Sequence, residues 1–397
     1  MSETARAGWP VARRLSYEAA SPGAVELISL GEATARRLAR DIAALCDLPH
    51  FVSSAMDGWA VCGGPPWRVV PSATLVPGEC RAIVTGGVLP PGATAVLRSE
   101  HAATTREGGA EWLTTTLTAR PDEPRDGEHV RLAGTEAKVG ETLIAAGTLL
   151  NPAHLALAAS AGHDQVAVTI RPRVRLVLTG DEVVSSGIPA IGRVRDSFGP
   201  VLPSLVTQLG GVVSESIHLP DSLPALVEAL STDADDHEVL VTTGSTGSSS
   251  ADHLRRALSD LGATVLIDGI RMRPGGPSLL ARFGDGRFVV GLPGNPLAAI
   301  LGLLTIGDPL LARLAGAPAP RSHRATMGAE LAGRAATSTL VPYRLEDGLA
   351  IPSEWRGSAM MRGLAESVGV IVCPPEGVAL GIDADAFPLP WSRVVSE

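Results

Sequence analysis

Four short stretches in the second half of the chain combine residues that suit an anionic ligand. The first is Gly291-Leu292-Pro293-Gly294-Asn295-Pro296, a glycine turn between an apolar run (287–290) and an apolar helical pattern (297–314). Asn295 suits an N-cap and Pro296 the first helical position, where the missing N–H costs nothing. Free amides and the helix dipole at such a turn attract phosphates. The second stretch is Thr179-Gly180-Asp181-Glu182, whose adjacent carboxylates suit Mg²⁺, an ion that takes oxygen ligands and keeps several waters. It reads equally as a turn with solvated acids. The third runs from Thr242 to His253, with Gly244 and Ser245 among small hydroxyl residues that let backbone amides approach an oxyanion. In it Ser249 and Asp252 also fit a helix-capping pair. The fourth is Arg271-Met272-Arg273-Pro274-Gly275-Gly276-Pro277, two arginines able to hold an oxyanion or to sit solvated beside a turn. Nearer the N-terminus, Ser53-Ser54-Ala55-Met56-Asp57-Gly58-Trp59-Ala60 sets one acid among small residues, a weak signal alone.

These stretches need elements to position them. From residue 171 onward, apolar runs at 174–178, 212–217 and 239–242 read as strands. They alternate with helical patterns at 200–209, 223–230 and 251–261. Short strands near Val265, Leu279 and Val289 follow, then the helix over 297–314, with Pro309 as its kink or break. Such alternation predicts a parallel sheet with helices on both faces, and the glycine and acidic stretches fall at strand ends. Residues 30–45 carry apolar residues at helical spacing (Leu30, Ala33, Leu38, Ile42, Leu45) and predict a helix. Runs at 81–84, 95–98 and 112–117 between Gly/Pro turns predict a mainly β lobe. A helix is expected over 152–161, and 323–397 reads as a small β barrel or sandwich.

The chain has 397 residues, enough for two to four domains. Aromatic residues make up only 3%, so the core must be aliphatic. A net charge of −9 argues against bulk binding to nucleic acid or to an anionic membrane, so an anion needs a local site. The scattered Cys46, Cys62, Cys80 and Cys373 fit neither a zinc site nor a disulfide framework, and imply reduced thiols in the cytoplasm. The N-terminal residues are polar, without a signal region, and no uninterrupted apolar run has a spanning length of about 18 residues. No Walker A lysine, G-x-G-x-x-G, H-E-x-x-H or G-x-S-x-G pattern is present.

Taken in order, these stretches resemble the molybdopterin molybdenumtransferase family (MoeA; the E domain of gephyrin). The resemblance is carried by 54–60, by Ile83-Val84-Thr85-Gly86 with Pro90-Pro91-Gly92-Ala93, and by Pro172-Arg173-Val174 running into Thr179-Gly180-Asp181-Glu182. It continues through Arg195-Asp196-Ser197, Gly244 to Asp252, Arg273 to Pro277, Gly291 to Pro296 and Gly357-Ser358. It implies a multidomain α/β protein: a linking domain (1–49 with 131–170), a β-rich lobe (50–130), a molybdopterin-binding MogA-like α/β domain (171–318) and a C-terminal β-barrel-like domain (319–397).

The resemblance also implies a homodimer with a site shared between subunits, and an adenylyltransferase that supplies the substrate. The implied reaction takes adenylylated molybdopterin and molybdate, with Mg²⁺, to molybdenum cofactor and AMP. By motif match the catalytic set is Asp57, Thr85, Glu136, Glu182, Asp221 and Asp252, with Glu182 and Asp252 as metal ligands. The ligand-binding set is Thr179, Gly180, Asp181, Asp196, Ser197, Gly244, Ser245, Arg273, Pro274, Gly275, Pro277, Gly294, Asn295, Pro296 and Ser358. Glu136 stands where the family has Asp, Gly276 where it has Lys, and Ala298 where it has Ser; Thr339 and Tyr343-Arg344 occupy the region of an expected Arg. Each charge-assisted bond lost to molybdate weakens its binding by about 1.5–3 kcal/mol, so two losses cost about a hundredfold. Arg271, Arg273, Arg344, Arg356 and Arg362 are the candidates to compensate. A pterin-binding carrier that inserts no metal and a molybdopterin adenylyltransferase are the alternative readings.

Overall fold

In the parallel arrangement expected from 171 onward, every strand would end at one edge of the sheet. A computed structural model describes residues 6–231, 236–244 and 253–392 and bears on this directly. The chain divides into two compact units, Leu27–Val168 and Met1–Glu26 with Thr169–Glu397. Residues up to 26 thus group with the later unit and not with 27–49.

In the later unit, a six-stranded sheet has the order Val212–Leu219, Arg173–Thr179, Val239–Thr243, Phe288–Leu292, Leu279–Arg282, Thr264–Asp268. The first four strands are mutually parallel. Leu279–Arg282 runs antiparallel to both its neighbours, so the sheet is mixed where a wholly parallel one was expected. The reason lies in the short link 283–287: it returns the chain directly to the adjacent strand, and a link that short can only make a hairpin. Apolar side chains cover both faces. Leu176, Val241 and Val290 pack into one core with the helix Leu202–Gln208, and Val177, Leu240 and Val289 into another with Leu223–Ser231 and His253–Asp260.

The helix expected over 297–314 forms as Pro296–Gly302, a π-helical stretch Leu303–Gly307, and Asp308–Leu314. Pro309 lies just past the π stretch. Its ring crowds the carbonyl four residues back and it offers no N–H, so local widening of the helix replaces a sharp break. Among the described residues this is the one helix of a length and hydropathy that could cross a membrane, and 89% of its apolar window is buried, as in a core helix.

The strand Ile270–Arg273 leaves the α/β sheet. It pairs with Ala7–Gly8 on one side and Ser338–Glu346 on the other, in a seven-stranded sheet built mostly from the C-terminal segment. Its alternation is strict: Ile270 and Met272 are buried, while Arg271 and Arg273 are exposed. A helix not foreseen in the sequence, Trp9–Glu18, follows Ala7–Gly8, with Pro10 in its first turn.

The unit Leu27–Val168 contains a six-stranded sheet that includes Gly58–Val61, Glu79–Ile83, Ala95–Arg98 and Ala110–Thr115. The helix expected over 152–161 forms as Pro152–Ser160 behind an Asn151–His154 capping box. The helix expected over 30–45 does not form. Only a 3₁₀ turn, Leu30–Glu32, and a short strand, Ile42–Ala43, appear there. The amides of Ala35, Leu38 and Ala39 instead donate to the carbonyls of Leu150, Thr148 and Ala167 at 2.8, 3.0 and 2.8 Å. Leu38 and Ile42 are buried against Ile144, Leu150, Val166 and Val168. Apolar spacing reported real burial, but long-range partners took the backbone bonds that a helix would have used.

Candidate functional site

The four parallel strands end at one edge of the sheet, and a cavity of about 690 Å³ opens there. In chain order, Thr179 ends the first of these strands, Arg173–Thr179, and Gly180 follows it; Asp221 follows the second, Val212–Leu219, Gly244 the third, Val239–Thr243, and Pro293 the fourth, Phe288–Leu292. The chain passes from Arg173–Thr179 to a neighbour on one side, then to Val239–Thr243 on the other. That reversal leaves a crevice at the carboxyl ends of the strands, the usual ligand position in open α/β sheets.

Eleven of the sequence-predicted site residues line the cavity: Thr179, Gly180, Glu182, Asp196, Ser197, Asp221, Gly244, Pro277, Gly294, Asn295 and Pro296. Glu182 and Asp221 are exposed carboxylates. Asp181 does not line it; its Oδ1 accepts from the Asp221 amide at 3.3 Å and so helps place that residue. Asp196 shapes its own loop, accepting at Oδ1 from the amides of Phe198 (2.8 Å) and Gly199 (3.0 Å). His218 Nε2 stands 3.1 Å from Asp196 Oδ2. A Cβ at Gly199 would lie 2.4 Å from that oxygen, so a side chain there would have to displace the Asp196 carboxylate.

Thr179 Oγ1 donates to the Thr243 carbonyl at 2.8 Å, tying the first strand end to the third. Gly244 adopts φ +82°, and a Cβ on it would lie 2.6 Å from Thr179 Oγ1, so only glycine fits that crossing. Its amide donates to the Leu292 carbonyl at 3.0 Å, joining the third and fourth strand ends. Asn295 takes the N-cap position and Pro296 begins the helix, but the Asn295 side chain makes no capping bond. This corrects its expected role: Asn295 lines the cavity without capping the helix.

Arg273, Pro274, Gly275 and Ser358 are not among the lining residues, although Pro277 and Ala359 are. Ser358 is held beside the helix start, its carbonyl accepting from the Ala298 amide at 3.1 Å. Ser245 and Asp252 lie outside the described residues, so their expected roles have no geometry here. Among the described residues no group of three or more His, Cys, Asp or Glu could hold a metal. Sequence reasoning missed Val183, Val194, Arg195, Phe198, Pro293 and Ala359 as lining residues, and His218 as the partner of Asp196. Phe198 and Ala359 each adjoin a recognised motif, whereas nothing local marks His218.

Of the candidate compensating arginines, Arg344 pairs with Glu346 at 2.6 Å, Arg362 with Glu366 at 3.5 Å, and Arg356 donates to the Ser353 carbonyl at 2.6 Å. No ion pair ties Arg271 or Arg273 among the described residues. Thr339 is the register partner of Arg273 on the neighbouring strand.

Asp57, Thr85 and Glu136 belong to the unit Leu27–Val168. Asp57 Oδ1 accepts from the Thr85 amide at 2.7 Å. That backbone bond, followed by a side-chain bond to the same threonine, holds the Asp57 carboxyl below its usual 3.8. Glu136 is exposed, with its amide donating to the Leu48 carbonyl at 2.9 Å.

Fold and site therefore define a protein with an open α/β domain that carries a cavity at the carboxyl ends of its parallel strands. Residues 9–162 match the MoeA N-terminal region (domain I and II), and residues 175–313 match a probable molybdopterin binding domain. A molybdopterin molybdenumtransferase of Nostoc sp. is 32% identical over 312 residues, covering 73% of this chain and 70% of the relative. One from Synechococcus elongatus is 31% identical over 321 residues, covering 75% and 77%. The chain belongs to the molybdopterin molybdenumtransferase family. Its fold is shared by the molybdopterin biosynthesis MoeA protein of Pyrococcus horikosii, with a TM-score of 0.80, 23% identity, and coverage of 97% of this chain and 99% of that one.

Proposed function

We propose that this chain is an active transferase of molybdenum cofactor biosynthesis that inserts molybdate into adenylylated molybdopterin and releases AMP. The observation that carries the reading is the cavity itself, where two exposed carboxylates and two glycine turns meet at the strand ends. At the helix start the backbone amides of Gly294 and Asn295 are offered to the pyrophosphate of the substrate, while Gly244, its own amide bonded to the Leu292 carbonyl, shapes the adjoining turn. Arg273 and Ser358 are assigned to molybdate by motif alone, since neither lines the cavity. Thr179, Asp181 and Asp196 hold the loops that carry these donors.

The donor set suits Mg²⁺, which needs only one or two protein carboxylates when phosphate oxygens and waters complete its shell. Glu182 and Asp221 are the described residues that would hold it, with Asp252 as a further candidate by motif. When bound, the ion would offset the charge of the pyrophosphate and position water. We further propose the four-domain division expected from the sequence (1–49 with 131–170, 50–130, 171–318, 319–397), amended so that residues up to 26 leave the linking domain for the later unit, and a homodimer in which Asp57, Thr85 and Glu136 complete the cavity of the partner. A molybdopterin adenylyltransferase supplying the substrate and a cytoplasmic location complete the proposal. All four cysteines are free, which fits a reducing compartment.

The test is to supply adenylylated molybdopterin, Mg²⁺ and molybdate to the pure protein and to follow AMP. Molybdate-dependent AMP release and active cofactor are expected; absence of both would overturn the reading. One observation favours a second reading, a pterin carrier that inserts no metal. A Cβ at Gly276 would lie 2.8 Å from the Met272 carbonyl and 3.2 Å from that of Ile270, so this turn is too tight for a side chain such as the lysine that the resemblance implies there. Tight pterin binding with no molybdate-dependent turnover would favour that reading.

A further inference from the structure

We propose that Trp9 is a positioning residue for the cavity, acting through Thr305 and Met272 on the loop Arg273–Pro277. The role of that loop in anion binding rests on the function proposed above; the mechanical link does not.

The loop has little freedom of its own. Pro274, Gly275 and Gly276 are buried, the Ser278 amide donates to the Gly275 carbonyl at 3.0 Å, and the Ile270 amide to the Gly276 carbonyl at 2.8 Å. A Cβ on Gly275 would lie 2.5 Å from Met272 Cε and 2.9 Å from the Ala298 carbonyl. The loop is therefore clamped between the Met272 side chain and the first turn of the helix Pro296–Gly302. Pro277, its last residue, reaches the cavity wall beside Pro296.

Methionine is a flexible side chain, so its position depends on what surrounds it. Thr305 Oγ1 stands 3.5 Å from Met272 Sδ and donates to the Leu301 carbonyl at 2.6 Å. Trp9 Nε1 donates to the same Oγ1 at 3.2 Å. Thr305 is fully buried and Trp9 nearly so. Thr305 also lies in the π-helical stretch, where the widened backbone places the hydroxyl between helix and strand.

Trp9 is itself anchored. Its ring stacks on Phe387 at 5.8 Å, and the Arg13 guanidinium sits 5.2 Å over it. Arg13 Nη1 donates to the Leu304 carbonyl at 2.6 Å and Nη2 pairs with Asp308 at 3.5 Å. Ahead of the helix, Ala7 and Gly8 pair in register with Ile270 and Arg271. The N-terminal segment thus grips both ends of the connection, the strand that carries Arg273 and the helix that starts at the cavity.

Hydrogen exchange on the full chain tests this. Trp9→Phe keeps a ring and removes the N–H; Thr305→Val keeps the shape and removes the hydroxyl. Each is expected to speed exchange of the Ile270 and Ser278 amides by about tenfold, leaving 239–243 unchanged, and Thr305→Ser should restore protection. In turnover assays the KM for molybdate should rise by about tenfold, with kcat within about twofold. No change at the loop, or equal acceleration across the chain, would overturn the proposal. An inactive wild-type protein would count against the proposed function alone, because exchange needs no substrate.

Discussion

The cavity at the α/β sheet edge and the Asp57–Thr85 corner carry similar acidic chemistry but are built in opposite ways. In the cavity, Glu182, Asp221, Gly244 and Pro293 follow four different strands, and parallel pairing delivers all four ends to one place. At the corner, Asp57 precedes Gly58–Val61 and Thr85 follows Glu79–Ile83, two antiparallel neighbours whose loop ends meet, and the end of Ala95–Arg98 joins them where the Ser99 amide donates to the Asp57 carbonyl at 3.0 Å. The Asp57 carboxylate is already engaged by the Thr85 amide. Glu182, by contrast, has no ion-pair partner among the described residues. Parallel topology collects distant donors and leaves them available, whereas an antiparallel corner makes a locally satisfied motif that needs a further surface to become a site.

The comparison can be broken most directly at Glu182. Glu182→Gln removes a carboxylate that the reaction is proposed to use, and turnover should fall by about a hundredfold with stability unchanged. Steady-state kinetics beside a melting curve decide it; near-normal turnover would remove the distinction between the two regions.

Next in size is a stability contrast between glycines of the two units. Gly276→Ala places a methyl 2.8 Å from the Met272 carbonyl and should cost about 1–3 kcal/mol. Gly64→Ala, where a Cβ meets nothing within 4 Å, should change stability by less than about 0.5 kcal/mol. Denaturant melts of both variants measure the contrast.

Two pH effects sharpen it further. Burial raises the Asp308 carboxyl to about 6 against the pull of Arg13. A group whose folded value lies above its unfolded value of 3.8 binds its proton more tightly when folded, so its contribution is greatest below 3.8 and is lost as pH rises to about 6. The stability of Asp308→Asn relative to wild type should therefore climb by roughly 2 kcal/mol between those values and level off above, in paired melts across pH. The corner behaves oppositely. The depressed Asp57 carboxyl contributes order that is present above the unfolded value and lost as pH falls through its lower folded value. The Thr85 amide resonance should titrate with a midpoint below 3.8, with no global unfolding step.

Much of this was legible in the sequence. The strands 174–178, 212–217 and 239–242 lie within a residue or two of the observed ones; the first and third read as apolar runs because both their faces are buried, whereas Val212–Leu219 is a largely exposed edge strand. Eleven of the residues read as site residues line the cavity, because glycines and acids at strand ends are tied to local backbone needs. The failures share one physical cause. Residues 30–45 showed helical spacing, yet long-range carbonyls took their amides. Asn295 reached the N-cap position without making the cap bond, and Arg273 proved to lie on a strand of another sheet.

By itself, then, the sequence determined the family, the α/β alternation and the turns, all of which depend on neighbours within a few residues. Only the tertiary structure decided which carboxylates stay available, that His218 meets Asp196, and that Trp9 reaches Met272 through Thr305. Those contacts join residues tens to hundreds of positions apart, and local pattern carries no record of such pairings until packing and backbone hydrogen bonding are solved together.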